Sequence, residues 1–269
     1  MKKDKITKNI LILISVLFLT VMLILPLAVV IKESLGKGIE AYLNSISDKY
    51  TLKALGLTIL ATLTAVVINA IFGIFSAWCI TKYKFRGKKI LITLIDIPFA
   101  ISPVIAGLIY ILTFGRMGWA YDILTKFDIS IVFAVPGVIL ATIFVTFPFI
   151  SREIIPILTA RGNEEEEAAA MMGASTLKIF SKITFPAIKW ALLYGIILCT
   201  ARAMGEFGAV SVISGHIRGK TNTLPLHIEI LYNEYQFSSA FAVSSILVIL
   251  AIIILILRNI VEWKKREFR

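Results

Sequence analysis

From Asn9 to Ile31 the chain carries no charged side chain, and this is one of six apolar runs of similar length. A helix rises about 1.5 Å per residue, so roughly 20 apolar residues cross the ~30 Å hydrocarbon layer of a bilayer. The runs lie near residues 10–31, 54–81, 90–114, 130–151, 188–213 and 237–257. They lack the period-2 alternation of an outer-membrane barrel. The predicted fold is therefore all-α: a polytopic membrane protein with six transmembrane helices. It divides into a short N-terminal segment (1–9), one spanning domain (10–257) and a basic tail (258–269). The 58% hydrophobic share of 269 residues is above that of soluble domains, and uncharged runs of more than 18 residues exclude one large soluble domain.

A formal net charge of +11 can suggest nucleic acid, but the basic residues cluster at the ends of the apolar runs. That placement suits lipid headgroups and sets orientation. Counted between spans, 19 Lys and Arg fall on one side and 8 on the other. The positive-inside rule assigns the richer side to the cytoplasm. Both termini and the 152–187 loop then lie inside, and the loops 32–53, 115–129 and 214–236 lie outside. The N-terminal run is too long for a signal-peptide core, and Lys32-Glu33-Ser34 offers no small-residue cleavage site. It reads as a retained first helix. Pro98 and Pro103 interrupt the third run, and Pro136-Gly137 and Pro148 the fourth. These are either ordinary kinks or helices that line a pathway.

The text between the fourth and fifth runs does not belong in lipid. Asn163 is a candidate cap, and Glu164 to Glu167 place negative charge at the positive end of a helix dipole. Ala168, Ala169 and Ala170 propagate the helix, and Gly173 turns the chain. A second short helix precedes Pro186, which opens the fifth span. By itself this could be a solvated amphipathic loop.

Its spacing is more specific. Glu167-Ala168-Ala169, three residues, Gly173, nine residues, Ile183, one residue and Phe185-Pro186 resembles the EAA motif of bacterial ABC-importer permeases. Phe185 stands where Leu is usual. Residues 201–210 and 214–235, with Asp96 to Leu108, resemble the sulfate/molybdate permease family, and within it sulfate permeases of the CysW type rather than their molybdate relatives. The resemblance covers most of residues 90–245. It implies the type I importer permease fold and a coupling helix that docks on a separate ATPase. It also implies a heterodimeric pore with a second permease, two ATPase subunits and an external sulfate-binding protein. No cofactor would be bound by this chain; ATP and Mg would sit on the ATPases. The implied location is the bacterial inner membrane. The implied activity is alternating-access import of sulfate and thiosulfate, with molybdate or tungstate as the alternative substrate. An ATP-independent channel or secondary transporter leaves the 167–186 motif unexplained.

Within the spans, Arg202 and Glu206 are four residues apart and share a helix face. Counted from Trp190, Arg202 lies about 18 Å in, near mid-span. A cation at that depth is costly and must face protein or water. The pair either orients the helix or meets a passing anion, with Glu206 compensating the charge. Gly205 and Gly208 suit close helix approach. Asp96 is shallow. It either meets interfacial water and Lys88 or Lys89, or forms a gate or partner-helix contact. Gly215-His216-Ile217-Arg218-Gly219-Lys220-Thr221 has three residues between its glycines where a P-loop needs four. His216 and His227, eleven apart, have no metal-ligand spacing, and Cys79 and Cys199 read as packing residues. Nothing forms a catalytic set.

Overall fold

The computed structural model describes residues 2–267, with side chains at 7–264. The terminal charges counted above at Lys2, Lys3, Lys5, Lys265, Arg266 and Arg269 lie outside the described side chains. Every regular element among the described residues is helical. Five helices are long and apolar enough to cross a membrane: α1 (Thr7–Ser34), α3 (Lys49–Lys82), α7 (Val135–Arg161), α9 (Thr176–Met204) and α12 (Phe237–Lys264). A sixth passage is a pair, α4 (Lys88–Ala100) and α5 (Pro103–Phe114), bent by 109°. Shorter helices fill the connections: α2 (Ile39–Ser47), α6 (Tyr121–Lys126), α8 (Glu164–Met171), α10 (Gly208–Ile213) and α11 (Leu224–Asn233).

The six-passage count follows from where the ends meet. Lys82, at the end of α3, donates to the carbonyl of Gly162, just past α7, at 2.6 Å. Thus α3 and α7 finish at the same end and run parallel. The chain between them must cross from that end to the other, and α4–α5 carries it despite the bend. Thr184 of α9 bonds Glu166 of α8, so α9 also starts at the Lys82 end. At the opposite end Thr51 meets His227, Leu224 N–H donates to Thr58, and Phe133 N–H donates to Ile213. α12 begins there too, since Ser45 bonds Ser239 and Tyr42 bonds Ser245.

The run boundaries differ from the sequence expectation in three places, each for a physical reason. The third passage is not one helix. Ser102, before Pro103, is pushed out of helical backbone to ψ 134°, and the chain turns there, whereas Pro98 sits inside α4. The fourth helix starts at Val135, with Pro136 in its first turn, and continues through Pro148 to Arg161. Pro136-Gly137 therefore opens the helix instead of interrupting it. The fifth helix begins at Thr176, ten residues before Pro186. A π turn at Phe180–Thr184 directly precedes Phe185-Pro186, and another at Thr20–Ile24 precedes Leu25-Pro26. Proline lacks the N–H for its i−4 carbonyl and crowds that carbonyl. The widened turn absorbs both, so the helix passes through Pro186. It then stops at Met204, and α10 restarts at Gly208.

Packing is by small residues, as expected where lipid is as apolar as leucine. α3 buries Ala54, Ala61, Ala65, Gly73 and Ala77 and turns Leu60, Leu63, Phe72 and Phe75 outward. One core joins Val66 and Ala77 of α3, Ile150 and Ile154 of α7, and Ile188, Ala191 and Cys199 of α9. A second joins Ala61, Val138, Ala141 and Val145 to Ala209, Val210 and Ile213 of α10.

Candidate functional site

The loop between α7 and α9 is built from backbone upward. Gly162, at φ +70°, lets the chain leave α7, and α8 starts after Asn163. The carbonyl of Asn163 accepts from Glu166 and Glu167 N–H, at 3.1 and 2.9 Å. Its side chain does not cap the helix as expected, because Asn163 Oδ1 is taken by Lys82 at 3.1 Å. At the far end Gly173 N–H bonds Ala170 O and Ala174 N–H bonds Ala169 O. Gly173 sits at φ +80°. This is a Schellman stop, in which the left-handed residue is best served by glycine.

The motif residues separate by face. Glu167 and Ala168 are exposed, Ala169 is buried, Ile183 is half-buried and Pro186 is exposed. Ile183 lines a small crevice with Lys82, Leu158, Glu166 and Ala187. Met171, Met172 and Leu177 are 90%, 82% and 81% exposed around the Gly173 turn. Three nearly bare large apolar side chains beside an acidic helix form a surface that lacks its cover within this chain. Glu165 pairs with Arg161 at 2.7 Å, and Glu166 pairs with Lys82 at 3.1 Å. Lys82, Glu166 and Thr184 were not singled out by sequence. Their signal is weak there: a lysine ending a helix and one glutamate among four.

The second candidate lies at the break between α9 and α10. Arg202 and Glu206 do pair, at 2.5 Å, with side chains 34% and 1% exposed. They do not share a continuous helix. Arg202 is in the last turn of α9, and Glu206 is in the unwound Gly205-Glu206-Phe207 link. Its other carboxylate oxygen accepts from Ala209 N–H at 2.8 Å, holding the first turn of α10. One buried carboxylate thus closes the end of one helix and the start of the next. Gly208 lies against Pro103, where an added Cβ meets that ring at 3.0 Å. Gly107 faces Ala209 O, where a Cβ would come within 2.6 Å. Gly205, by contrast, is exposed and makes no such approach.

Asp96 finds neither Lys88 nor Lys89. It accepts from Arg152 Nε at 2.8 Å, joining α4 to α7, and the Arg152 guanidinium lies 4.6 Å over the Phe99 ring. Since α7 runs on to Arg161, Arg152 belongs to a helix and not to the following loop, which makes the contact possible.

At the opposite end, His216 lies 3.9 Å from Glu229, and buried His227 is 3.2 Å from the Thr51 hydroxyl. Burial, and then the Arg218 charge, push the His227 imidazole below its usual pKa, while Asp48 and Glu234 act the other way. Arg218 pairs with Glu234 at 2.6 Å and lies over Tyr50.

The family model described as binding-protein-dependent transport system inner membrane component matches residues 69–267. The sulfate transport system permease protein CysW of Synechocystis sp. is 44% identical over 255 residues, 95% of this chain and 92% of that one. The protein of the same name from Escherichia coli is 44% identical over 251 residues, covering 93% and 86%. The sulfate transport system permease protein CysT of Salmonella typhimurium is 33% identical over 248 residues, covering 92% and 90%. Among solved structures, a bacterial ABC transporter involved in alginate import superposes with a TM-score of 0.80 at 15% identity, covering 99% of this chain and 96% of that one. That likeness speaks for the fold.

Proposed function

The chain belongs to the family of binding-protein-dependent transport system inner membrane components, and from that premise we propose that it is the permease subunit of an ATP-driven sulfate importer. Relatives at 43–44% identity are named sulfate transport system permease proteins. In this reading it moves sulfate, and thiosulfate with it, by alternating access. ATP and Mg are held by two separate ATPase subunits, and an external binding protein delivers the anion. The existence of two kinds of relative, CysW and CysT, supports a pore made of this chain and a second, different permease. The Lys82 end, which gathers the start of α1, the end of α12 and the 162–175 loop, faces the cytoplasm on the strength of the 19-to-8 charge asymmetry.

The observation that carries the reading is α8 with its bare apolar turn. A short rod, stopped by Gly173 and flanked by Met171, Met172 and Leu177, suits a groove on a partner that pushes. Glu167 and Ala168 are exposed beside it. At the α9–α10 break, Arg202 presents a third of its side chain while Glu206 compensates it. A dianion passing a fully unpaired cation in low dielectric would be held; beside a paired one it can leave.

The test is reconstitution with the second permease, an ATPase subunit and the binding protein. Radiolabelled sulfate uptake is expected to require ATP and the ATPase, and excess thiosulfate to compete. Uptake that proceeds without any ATPase subunit would overturn the proposal in favour of a channel or secondary transporter.

A further inference from the structure

We propose that Lys82 is a positioning residue for coupling. With Glu166 and Thr184 it forms a strap that makes α8 move as one body with the ends of α3 and α9. The proposal rests on the importer reading above and assigns the internal mechanics of that site.

Lys82 is the last residue of a 34-residue helix, where a cation suits the helix dipole and commonly extends into water. Here it does not extend into water. Its side chain is only 8% exposed, and its ammonium reaches Gly162 O at 2.6 Å, Asn163 Oδ1 at 3.1 Å and Glu166 Oε2 at 3.1 Å. An ammonium has three donors, and these three acceptors match them. All three lie within five residues on the segment that enters α8. Glu166 is 17% exposed, and its other oxygen accepts from Thr184 Oγ1 at 2.7 Å. Thr184 is 1% exposed and closes the π turn at the base of α9. The continuous path therefore runs from α3 through Lys82 and Glu166 to α9.

A second tie lies one helical turn up α3. Trp78 packs on Phe180, at the start of the same π turn, with centroids 5.1 Å apart, and Phe180 continues to Phe185 at 6.2 Å. Without the strap, α8 is held by the Gly162 turn, the exposed Arg161–Glu165 pair, the burial of Ala169 and the turn at Gly173. Turns of that kind are natural hinges. A push on a hinged rod can be absorbed locally, whereas a push on a strapped rod must displace two spans. A buried ion pair is a poor source of net stability but a strict specifier of geometry, which fits this use.

The test uses the complete reconstituted complex and measures radiolabelled sulfate uptake, ATP hydrolysis and the amount of ATPase subunit retained. For Lys82→Met and for Thr184→Val, ATPase retention is expected to match the wild type. Sulfate moved per ATP should fall at least about fivefold, the lower range of a functional coupling energy. Lys82→Arg, which keeps charge and multiple donors, should recover much of the ratio. Thr184→Val removes one hydroxyl without stranding a charge, so it decides the matter if Lys82→Met fails to assemble. In a background lacking Cys79 and Cys199, Cys placed at 82 and 166 and joined by a short bis-maleimide re-forms the α3 arm of the strap without any charge while Thr184 loses its acceptor, so it should recover part of the ratio over the uncross-linked protein. A wild-type transport-to-ATP ratio in assembled Thr184→Val, or no recovery on cross-linking, overturns the strap. Absence of any ATPase from the wild-type complex instead overturns the importer reading itself.

Discussion

Glu206 is the most buried acid among the described residues, at 2% exposure, and both of its oxygens are engaged, one by Arg202 and one by Ala209 N–H. Arg202→Met removes the cation and leaves a buried carboxylate, a loss of about 3–5 kcal/mol where a buried pair is broken on one side. Lower yield of assembled complex is the expected result. Glu206→Gln in the same chain removes the stranded charge and keeps an acceptor for Ala209, so yield should return. Sulfate uptake by that double variant then separates two roles: recovery assigns the pair to orientation, and failure in a well-assembled complex assigns Arg202 to the anion path. The i,i+4 spacing made this pair legible in sequence. The Asp96–Arg152 pair was not, because 56 residues separate its members and the helix carrying Arg152 outlasts its apolar run. His227 gives a pH prediction. Its folded pKa lies below its ordinary value near 6.5, mainly through burial, with Arg218 adding and Asp48 and Glu234 opposing. Below about pH 6.5 the unfolded form binds the proton more readily, so stability at the Thr51–His227 contact is full above that pH and is lost as pH falls through it. Thermal unfolding should drop less between pH 7.5 and pH 5.5 in His227→Gln than in the wild type.

At the scale of elements, hydropathy located every passage, but hydrogen bonding and proline set the ends. Apolar runs stop where lipid stops, whereas helices stop where their carbonyls find other partners. α7 and α9 therefore extend past their runs toward the Lys82 end, and only the backbone at Ser102 and at Gly205-Glu206-Phe207 reveals the broken passages. The acidic start, the alanine run and Gly173 made α8 and its stop legible, while the contacts within this chain belong to Glu166, one residue before the motif's Glu167. Two predictions belong here. A Cβ at Gly173 meets nothing within 4 Å, so substitution there strains backbone and not packing, at about 1–2 kcal/mol for a left-handed residue. Gly173→Asp should insert normally but lose sulfate uptake relative to ATP hydrolysis, while Gly173→Asn, better suited to left-handed backbone, should lose less. Gly73 and Gly195 clasp Ile150 from two sides, with added Cβ atoms 2.8 Å from its Cγ2 and 3.0 Å from its Cα. Gly195→Leu should lower complex yield through overpacking of about 1–3 kcal/mol. Gly56→Leu, with nothing within 4 Å, should not.

For the whole molecule, the arrangement is that of a chain whose solvent is lipid and whose partners complete it. On α3 large side chains face outward and alanines and a glycine meet the core, and none of the apolar window of α1 is buried against the rest of the chain. The same end of the bundle gathers the Lys82 strap, the bare apolar turn at Met171, Met172 and Leu177, the start of α1 and the end of α12. The opposite end gathers the loops carrying Lys37, Lys126, Arg218 and the buried polar residues Thr221, Asn222 and Thr223. The grouping of ends follows from contacts, and the side of the membrane that each end is expected to face follows from charge. Single cysteines at Lys84 and Gly162 should therefore react with a membrane-impermeant maleimide only in inverted vesicles. Cysteines at Lys37, Lys126 and Arg218 should react only in intact cells. The contacts make this a joint prediction: Lys82 ties Gly162 to the end of α3, so positions 84 and 162 must label from the same side. Labelling of the two from opposite sides would contradict the packing itself. Labelling of both from outside would keep the fold and invert the orientation, placing the α8 surface where no ATPase could reach it.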